Sequence, residues 1–278
     1  MTWNWTLLRG GEFWLDAGAM FGIIPRMVWM RWLTPDERNR LPLQQNSMLL
    51  EGGGKRVLIE TGIGDKFGAK ERDIYSQEDR AIHDAVEEAG CRVEDVDAVI
   101  LTHLHFDHAG GLTRRGPDDR PVLTFPNAEI IVQRQEWEDA IANRSTMHKT
   151  YLRNHLTPDV AERVRLVDGE CEALPGITVW PTPGHTWGQQ AVRFEDEKGY
   201  TRVFVPDVMP TRWHRLASAC MAYDVETWTS QQERIRLLKR ASEERWRLTL
   251  VHEHGHPHFI SEPDPDKPGA WRLNEAHD

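Results

Sequence analysis

The sequence predicts a layered α/β sandwich rather than a barrel. A chain of 278 residues with 39% hydrophobic and 28% charged residues can bury most of its apolar surface in one large domain. Helical and strand patterns are intermixed along it without the strict β-α alternation of a barrel. Neither an internal repeat nor a low-complexity linker divides the chain. We therefore treat residues 1–278 as a single domain.

The first half of the chain begins with a predicted hairpin. Strands near residues 47–51 and 55–60 precede the turn Thr61-Gly62-Ile63-Gly64. Ser76, with Asp79 three residues later, is predicted to cap a helix that ends at Gly90. The short apolar run at 98–101 predicts a strand that is buried on both faces.

The second half alternates short strands with two helices. The helices are predicted at residues 134–142 and 226–245, and residues 263–268 are predicted to form a surface tail. The further strands are predicted at residues 129–132, 164–167, 177–180, 190–194, 202–205 and 248–251.

Charge and apolar content narrow the classes of partner and location. The net charge of −10 repels phosphate backbones and anionic lipids, so we expect neither nucleic acid nor a membrane as a partner. The most apolar stretch, residues 13–33, is interrupted by charged residues and cannot span a bilayer. Three cysteines without C-x-x-C spacing and the absence of a secretory signal pattern predict a reduced, cytoplasmic protein.

A dense group of histidines follows the predicted strand at 98–101. Residues 102–111 read T-H-L-H-F-D-H-A-G-G, so His103, His105, Asp107 and His108 offer four nitrogen or oxygen ligands in one loop. Such ligands bind zinc and similar divalent ions. The alternative is a polar surface loop whose histidines cap strand or helix ends. That alternative leaves the following Gly110-Gly111 turn unexplained, so the pattern favours a metal site.

Two later motifs also follow predicted strands. His185 lies in Pro-Gly-His-Thr after the strand at 177–180, and Asp207 lies in Pro-Asp after the strand at 202–205. Alone, each is typical of a turn or a strand cap. Together with the first cluster, both become candidate metal ligands because they lie at strand carboxyl ends.

In this ordered set of motifs the sequence resembles the metallo-β-lactamase-fold superfamily of metal-dependent hydrolases. The resemblance runs from the Leu-Ile-Glu-Thr-Gly segment at 58–62 to the last predicted strand, and it implies an αββα sandwich of two mixed sheets flanked by helices. It implies that His103, His105 and His185 hold one metal and that Asp207 bridges to a second. Where the family usually has Asp before Thr-Gly, this chain has Glu60.

The second metal would be held by Asp107, His108 and one late histidine. Three candidates, His252, His254 and His256, follow the strand at 248–251. The Glu-His-Gly pattern around His254 is most similar to patterns in related proteins, so we take His254 as the ligand and keep the other two as alternatives. Zinc is the expected metal, with manganese, iron and cobalt as alternatives.

The resemblance implies hydrolysis of a small molecule. Two metals about 3.5–4 Å apart would share a water whose pKa falls towards 7, and the resulting hydroxide would attack an ester, lactone or phosphotriester. Asp107 and Asp207 are therefore the expected catalytic residues. The region after Asp207 resembles the branch of lactonases and organophosphate hydrolases. Lactonases of that branch often have a substrate-facing tyrosine where this chain has Pro210, so Tyr223 or His214 would have to reach the same space. Trp213 would offer an apolar wall, and these three residues are the candidate substrate contacts.

The amino-terminal region is rich in tryptophan and methionine. Five of the twelve tryptophans lie in the first 32 residues. Ordinary packing is one interpretation, and the other is that residues 1–46 form an aromatic lid over the pocket or an arm that pairs two subunits as a homodimer.

Two other functions are compatible with the same motifs. A thioesterase similar to glyoxalase II is the first, but the chain lacks a recognisable basic carboxy-terminal helix for an anionic thiol cofactor. A non-catalytic metal-bound scaffold or sensor is the second. Seven candidate ligands argue against it, because a closed structural zinc site needs only four.

Overall fold

Apolar side chains on both faces of the central strands explain the layered architecture. The computed structural model describes residues 1–277. On strand β3 (Lys55–Ile59), Val57 and Ile59 face the space between two sheets, whereas Leu58 joins a separate apolar cluster on the opposite face. Because both faces of such a strand must be covered, each sheet packs against the other on one side and against helices on the other.

The first sheet has six strands in the order β1-β2-β3-β4-β7-β8, and the second has seven in the order β15-β14-β13-β12-β11-β10-β9. Both are mixed: β3, β4, β7 and β8 are parallel in the first sheet, and β12 and β13 are parallel in the second. A small hairpin, β5-β6, lies outside them. The strands are β1 (Asn4–Asp16), β2 (Arg40–Gly52), β3 (Lys55–Ile59), β4 (Ala98–Ile100), β5 (Thr113–Arg115), β6 (Pro121–Leu123), β7 (Glu129–Gln133), β8 (Val164–Val167), β9 (Cys171–Leu174), β10 (Ile177–Pro181), β11 (Gln190–Glu195), β12 (Thr201–Val205), β13 (Arg247–Leu250), β14 (His258–Pro263) and β15 (Trp271–Glu275).

Helices cover the outer faces. Residues of α4 and α6 join the apolar cluster outside the first sheet, and α8 packs outside the second. The helices are α1 (Ala17–Phe21), α2 (Arg26–Trp29), α3 (Ala69–Tyr75), α4 (Ile82–Glu88), α5 (Phe106–Ala109), α6 (Arg134–Ala142), α7 (Pro158–Ala161) and α8 (Thr227–Glu243). The αββα sandwich predicted from the sequence is therefore confirmed. No helix within residues 1–277 is long and apolar enough to cross a membrane.

Helix α4 begins later than the sequence predicted. Ser76 does not cap it. Instead, Ser76 ends α3 in a left-handed conformation (φ 45°), and the side chain of Asp84 accepts a hydrogen bond from the Ala81 amide to start α4 (2.9 Å). The predicted tail at 263–268 was also wrong in part, because Pro263 ends β14 and the following residues connect it to β15.

Most of the first sixteen residues belong to the first sheet. Strand β1 pairs antiparallel with β2 along most of its length, and the Trp3 side chain is buried between the sheets. Residues 17–33 pack in an apolar cluster with Ala219 and Met221. Strand β1 is therefore part of the first sheet. A lid over the pocket and an arm that pairs two subunits both stay predictions for residues 1–46.

Candidate metal centre

The carboxyl ends of several strands meet at one edge of the sandwich. Strands β3 and β4 are parallel in the first sheet, and β12 and β13 are parallel in the second, so each pair releases its loops at a common edge. Backbone hydrogen bonds join these loops across the sheets, from Gln190 N to Thr102 O (2.9 Å) and from Asn46 N to Val251 O (3.0 Å). The ligand-bearing loops are therefore anchored on a shared, rigid edge.

The loop after β4 turns sharply into α5. His103 and His105 precede this helix, while Asp107 and His108 lie within it. The turn that follows requires glycine, because a Cβ on Gly110 would lie 2.0 Å from the Ile63 carbonyl oxygen. Close packing against the 61–63 turn thus fixes the loop.

The first group of candidate ligands is His103, His105 and His185, whose nitrogen atoms all lie within 4.8 Å of one another. His105 Nδ1 and His185 Nε2 are 3.0 Å apart. All three side chains are buried. Their nitrogen atoms therefore converge on one small volume.

The second group is Asp107, His108 and His252, again with ligand atoms within 4.8 Å. His108 Nε2 and His252 Nε2 are 3.1 Å apart, and Asp107 Oδ2 lies 3.5 Å from His252 Nε2. The two groups are adjacent, since the His103 and His108 ring centroids are 3.9 Å apart.

Asp207 lies between the groups. Its Oδ2 is 3.3 Å from His185 Nε2, and its Oδ1 is 3.3 Å from His252 Nε2. One carboxylate thus faces both groups with different oxygen atoms, which is the arrangement expected of a bridge.

Hydrogen bonds at the outer ring nitrogens orient the histidines. His108 Nδ1 is 2.7 Å from Glu60 Oε2, and His185 Nδ1 is 3.0 Å from Asp224 Oδ1. His252 Nδ1 donates to the backbone oxygen of a strand residue (Gln44 O, 3.0 Å). In each ring a proton on Nδ1 leaves the Nε2 lone pair directed at the centre, as metal binding requires.

Burial and mutual proximity set the charge of the ligands. Burial, together with neighbouring imidazoles, lowers the pKa of His103 and His105 well below the usual range. Burial also opposes protonation of His108, but the surrounding carboxylates, led by Glu60, outweigh it and hold the pKa of His108 well above its usual value. Against its own burial, the facing histidines lower the pKa of Asp207, so this carboxyl stays ionised.

This donor set fits divalent metal ions. His103 Nε2 and Asp207 Oδ1 are buried and form no hydrogen bond within residues 1–277. Imidazole nitrogens that face each other at 3.0–3.1 Å cannot both carry a proton, so a shared cation would satisfy them better than hydrogen bonds would. Nitrogen and carboxylate ligands in groups of three or four suit zinc.

A cavity of about 610 Å³ opens above the two groups. No Lys or Arg within residues 1–277 lines it. Its lining consists of Leu15, Met20, Tyr75, His105, Phe106, Asp107, Ser145, Thr146, Met147, Thr150, His185, Asp207, Met221, Tyr223 and His252. The walls are mostly apolar and the floor carries the ligands, which is typical of a small-molecule site.

The profile of the metallo-beta-lactamase superfamily matches residues 40–261, which is most of the chain. The chain belongs to the metallo-β-lactamase superfamily. Among superfamily relatives, an N-acyl homoserine lactonase from a Bacillus species is 32% identical over 178 residues. That alignment covers 60% of this chain and 63% of the relative's length.

Two solved structures have the same architecture. A probable metal-dependent hydrolase from Staphylococcus aureus is 27% identical, with a TM-score of 0.86 over 99% of this chain and 98% of the other. An N-acyl homoserine lactone hydrolase with N-hexanoyl-L-homoserine bound at its catalytic metal centre is 25% identical. Its TM-score is 0.70, with 91% and 94% of the two chains covered.

The structure brings six of the seven predicted ligands of this superfamily site together and corrects the seventh. His252, not His254, completes the second group. The His254 side chain is 49% exposed and its Nε2 lies 2.7 Å from Glu12 Oε2. His256 Nε2 instead contacts the Ala276 carbonyl oxygen (3.1 Å). Strand β13 ends at residue 250, so the chain has left the sheet edge by residue 254.

The three candidate substrate contacts line two different cavities. Tyr223 lines the cavity above the ligands, whereas Trp213 and His214 line a neighbouring cavity of about 510 Å³. Trp213 stacks on Trp32 (5.9 Å between centroids). Both His214 nitrogens are occupied, because Nε2 donates to Met20 O (2.9 Å) and Nδ1 accepts from a neighbouring threonine hydroxyl (2.8 Å). Direct substrate contact by Trp213 or His214 is therefore not supported.

Several residues that support the site escaped the sequence analysis. Asp224 orients His185 from 39 positions away, and Gln44 orients His252 through its backbone. Glu136 on α6 is fully buried and contacts the segments that carry His103, His105 and His185. For Gln44 the sequence offers one signal, a run of four polar residues at 44–47 between the apolar residues 41–43 and 48–50.

Replacement of His252 should weaken metal binding at the second group and leave the first group intact. In His252→Ala, the second group loses one of its three donors, so we expect about one zinc ion fewer per chain than in the wild type. His254→Ala is the matched control and should keep the full metal content. Elemental analysis after zinc reloading measures both. Full zinc content in His252→Ala would show that this histidine is not a ligand.

His214 should make stability depend on pH. Burial, with help from Arg234, lowers its pKa from 6.5 to about 4. Between these values the unfolded chain binds a proton that the folded chain does not, so stability is lost as pH falls from 6.5 to 4, by up to about 3 kcal/mol. Chemical denaturation of wild type and His214→Gln across this range isolates the effect. The prediction would be contradicted if the difference in free energy of unfolding between wild type and variant stayed constant with pH.

Proposed function

We propose that this protein is a metal-dependent hydrolase that opens lactones carrying an apolar acyl chain. The observation that carries the proposal is the pairing of two ligand groups, joined by Asp207, at the floor of a mostly apolar cavity. A ligand set this large exceeds what a structural zinc site uses, and its position under an open cavity gives a small molecule access to it.

Seven side chains would hold two divalent ions. His103, His105 and His185 would hold one, and Asp107, His108 and His252 the other, with Asp207 between them. Zinc is the metal that this set of ligands favours. When bound, such ions would lower the pKa of a water molecule and polarise the oxygen of a substrate carbonyl.

The chain's own residues would handle protons and orientation. Asp107 lines the cavity, and its carboxylate can hold the proton released by the attacking water and return it to the leaving alkoxide. Burial raises the pKa of the Tyr223 phenol, so this hydroxyl remains a neutral donor at working pH. No residue within 1–277 forms a hydrogen bond with it, so Tyr223 is free to donate to a substrate oxygen.

The cavity lining favours a neutral substrate. Its apolar wall, which includes Leu15, Met20 and Met221, can remove an acyl chain from water. A polyanionic thioester would find no cationic side chain among the described residues of the lining. The superfamily relative described as an N-acyl homoserine lactonase supports a lactone over a phosphotriester.

A panel of substrates tests the proposal. For the zinc-loaded enzyme, kcat/KM for a homoserine lactone with a hexanoyl chain should exceed that for an acetylated one by about 10-fold to 100-fold, because the longer chain buries more apolar surface. Aryl esters, phosphotriesters and glutathione thioesters complete the panel. Preference for the glutathione thioester would instead favour the thioesterase, and inactivity on every lactone would refute the proposal.

Loss of charge at the bridge should abolish turnover. Asp207→Asn replaces a carboxylate that faces both ligand groups with a neutral amide, so kcat should fall by at least about 10²-fold. Asp168→Asn is the matched control, because Asp168 also follows a strand but pairs with Arg134 at the surface. Circular dichroism should show that both variants fold. Near wild-type turnover in zinc-loaded Asp207→Asn would refute the bridging role.

A further inference from the structure

Glu136 is a buried carboxylate to which the chemistry above assigns no role. It lies in the first turn of α6 and is fully buried. Within residues 1–277, no Lys, Arg or His side chain lies within salt-bridge distance of it. A carboxylate in this position is costly unless hydrogen bonds compensate its lost hydration, so its partners show what it does.

Three donors satisfy Glu136, and each belongs to a different segment of the chain. Oε1 accepts from the Leu104 backbone N–H (2.9 Å) and from the Tyr151 hydroxyl (3.1 Å). Oε2 accepts from the Thr186 hydroxyl (2.5 Å). The nearest of these donors along the sequence is Tyr151, 15 residues away, so Glu136 joins segments that chain connectivity does not hold together.

Two of these donors adjoin the first ligand group. Leu104 lies between His103 and His105, and Thr186 follows His185 directly. The bonds to Glu136 therefore constrain the backbone from which all three histidines of that group project.

The third donor anchors one wall of the cavity. Tyr151 belongs to the connection between α6 and α7, residues 143–157, and four residues of this connection line the cavity, namely Ser145, Thr146, Met147 and Thr150. The Tyr151 ring also packs 5.3 Å from the His105 ring. The connection has no regular structure at these four positions, so this anchor limits its freedom to move.

A glycine at position 188 makes room for the bond between Thr186 and Glu136. A Cβ on Gly188 would lie 2.1 Å from the Glu136 backbone nitrogen. Only glycine lets the turn that carries His185 and Thr186 approach α6 closely enough for the bond to Oε2.

We propose that Glu136 is a positioning residue that holds the first ligand group and the 143–157 wall of the cavity in register through one carboxylate. The effect on turnover rests on the proposed hydrolase function. The effects on zinc affinity and on the mobility of the wall do not. This role requires correctly placed hydrogen-bond acceptors rather than a negative charge, because Gln at this position can still accept hydrogen bonds from Leu104 and Tyr151.

Variants that each remove one hydrogen bond to Glu136 separate its effect on the first ligand group from its effect on the cavity wall. Thr186→Val should lower zinc affinity by about 10-fold or more, as loss of an outer hydrogen bond commonly does, and Thr186→Ser should restore it. Tyr151→Phe should raise KM several-fold, leave kcat and zinc content unchanged, and speed amide hydrogen exchange in residues 144–156. Glu136→Gln should keep most of both properties, and Glu136→Ala should lose both.

Chelator competition, steady-state kinetics and hydrogen exchange provide these measurements. Thr229→Val is the matched control, because Thr229 donates to Glu226 at the surface of α8 (2.8 Å) and should change none of them. If Thr186→Val and Tyr151→Phe lower only the melting temperature, with zinc affinity, KM and exchange unchanged, Glu136 has a structural role alone and the proposal fails. If the wild type hydrolyses no lactone, the proposed function fails, while zinc affinity and exchange still decide the role of Glu136.

Discussion

Removing five imidazoles and two carboxylates from water at one point has a large free-energy cost, and much of the fold offsets it. Glu60, Asp224 and the backbone of Gln44 each take up an outer nitrogen of a ligand histidine. These supports come from different parts of the chain, and the sandwich holds them in place. The site is therefore a product of how the two sheets meet rather than of any single loop.

The polar run in β2 shows how the sheets meet. Asn46 donates from Nδ2 to the carbonyl oxygens of Leu250 (3.0 Å) and Glu253 (2.9 Å), on either side of His252. Gln45 accepts from the Ile63 amide (2.6 Å) and so holds the turn that packs against the glycines after His108. Strand β2 carries these polar residues because they bond the loop that follows β13 in the second sheet and the turn that follows β3. Glu60, at the end of the next strand, adopts a left-handed backbone (φ 70°), a strain that the bonds of its side chain offset.

Local pattern predicted much of this molecule. Helix α6 and strand β8 have the predicted bounds, because their periodicity and length are sufficient signals. Six candidate ligands were identifiable because they follow buried strands at characteristic spacing. His252 was not, since the Glu-His-Gly resemblance favoured His254 and only the end of β13 shows which histidine lies at the edge. Asp224 could not be predicted either, because its contact with His185 depends on tertiary packing alone.

The order of the ligands along the chain determines when the site can exist during folding. The 103–108 loop belongs to the first sheet, but Asp207 and His252 arrive only with the second, so the full set requires closure of loops of roughly 100 to 150 residues. A partly folded chain presents the candidate ligands of the 103–108 loop without those that come from the second sheet. Any ion that needs the whole set would then bind only the closed sandwich and would stabilise it by mass action. Metal supply would thus influence how much of the newly made chain stays folded, apart from its influence on turnover.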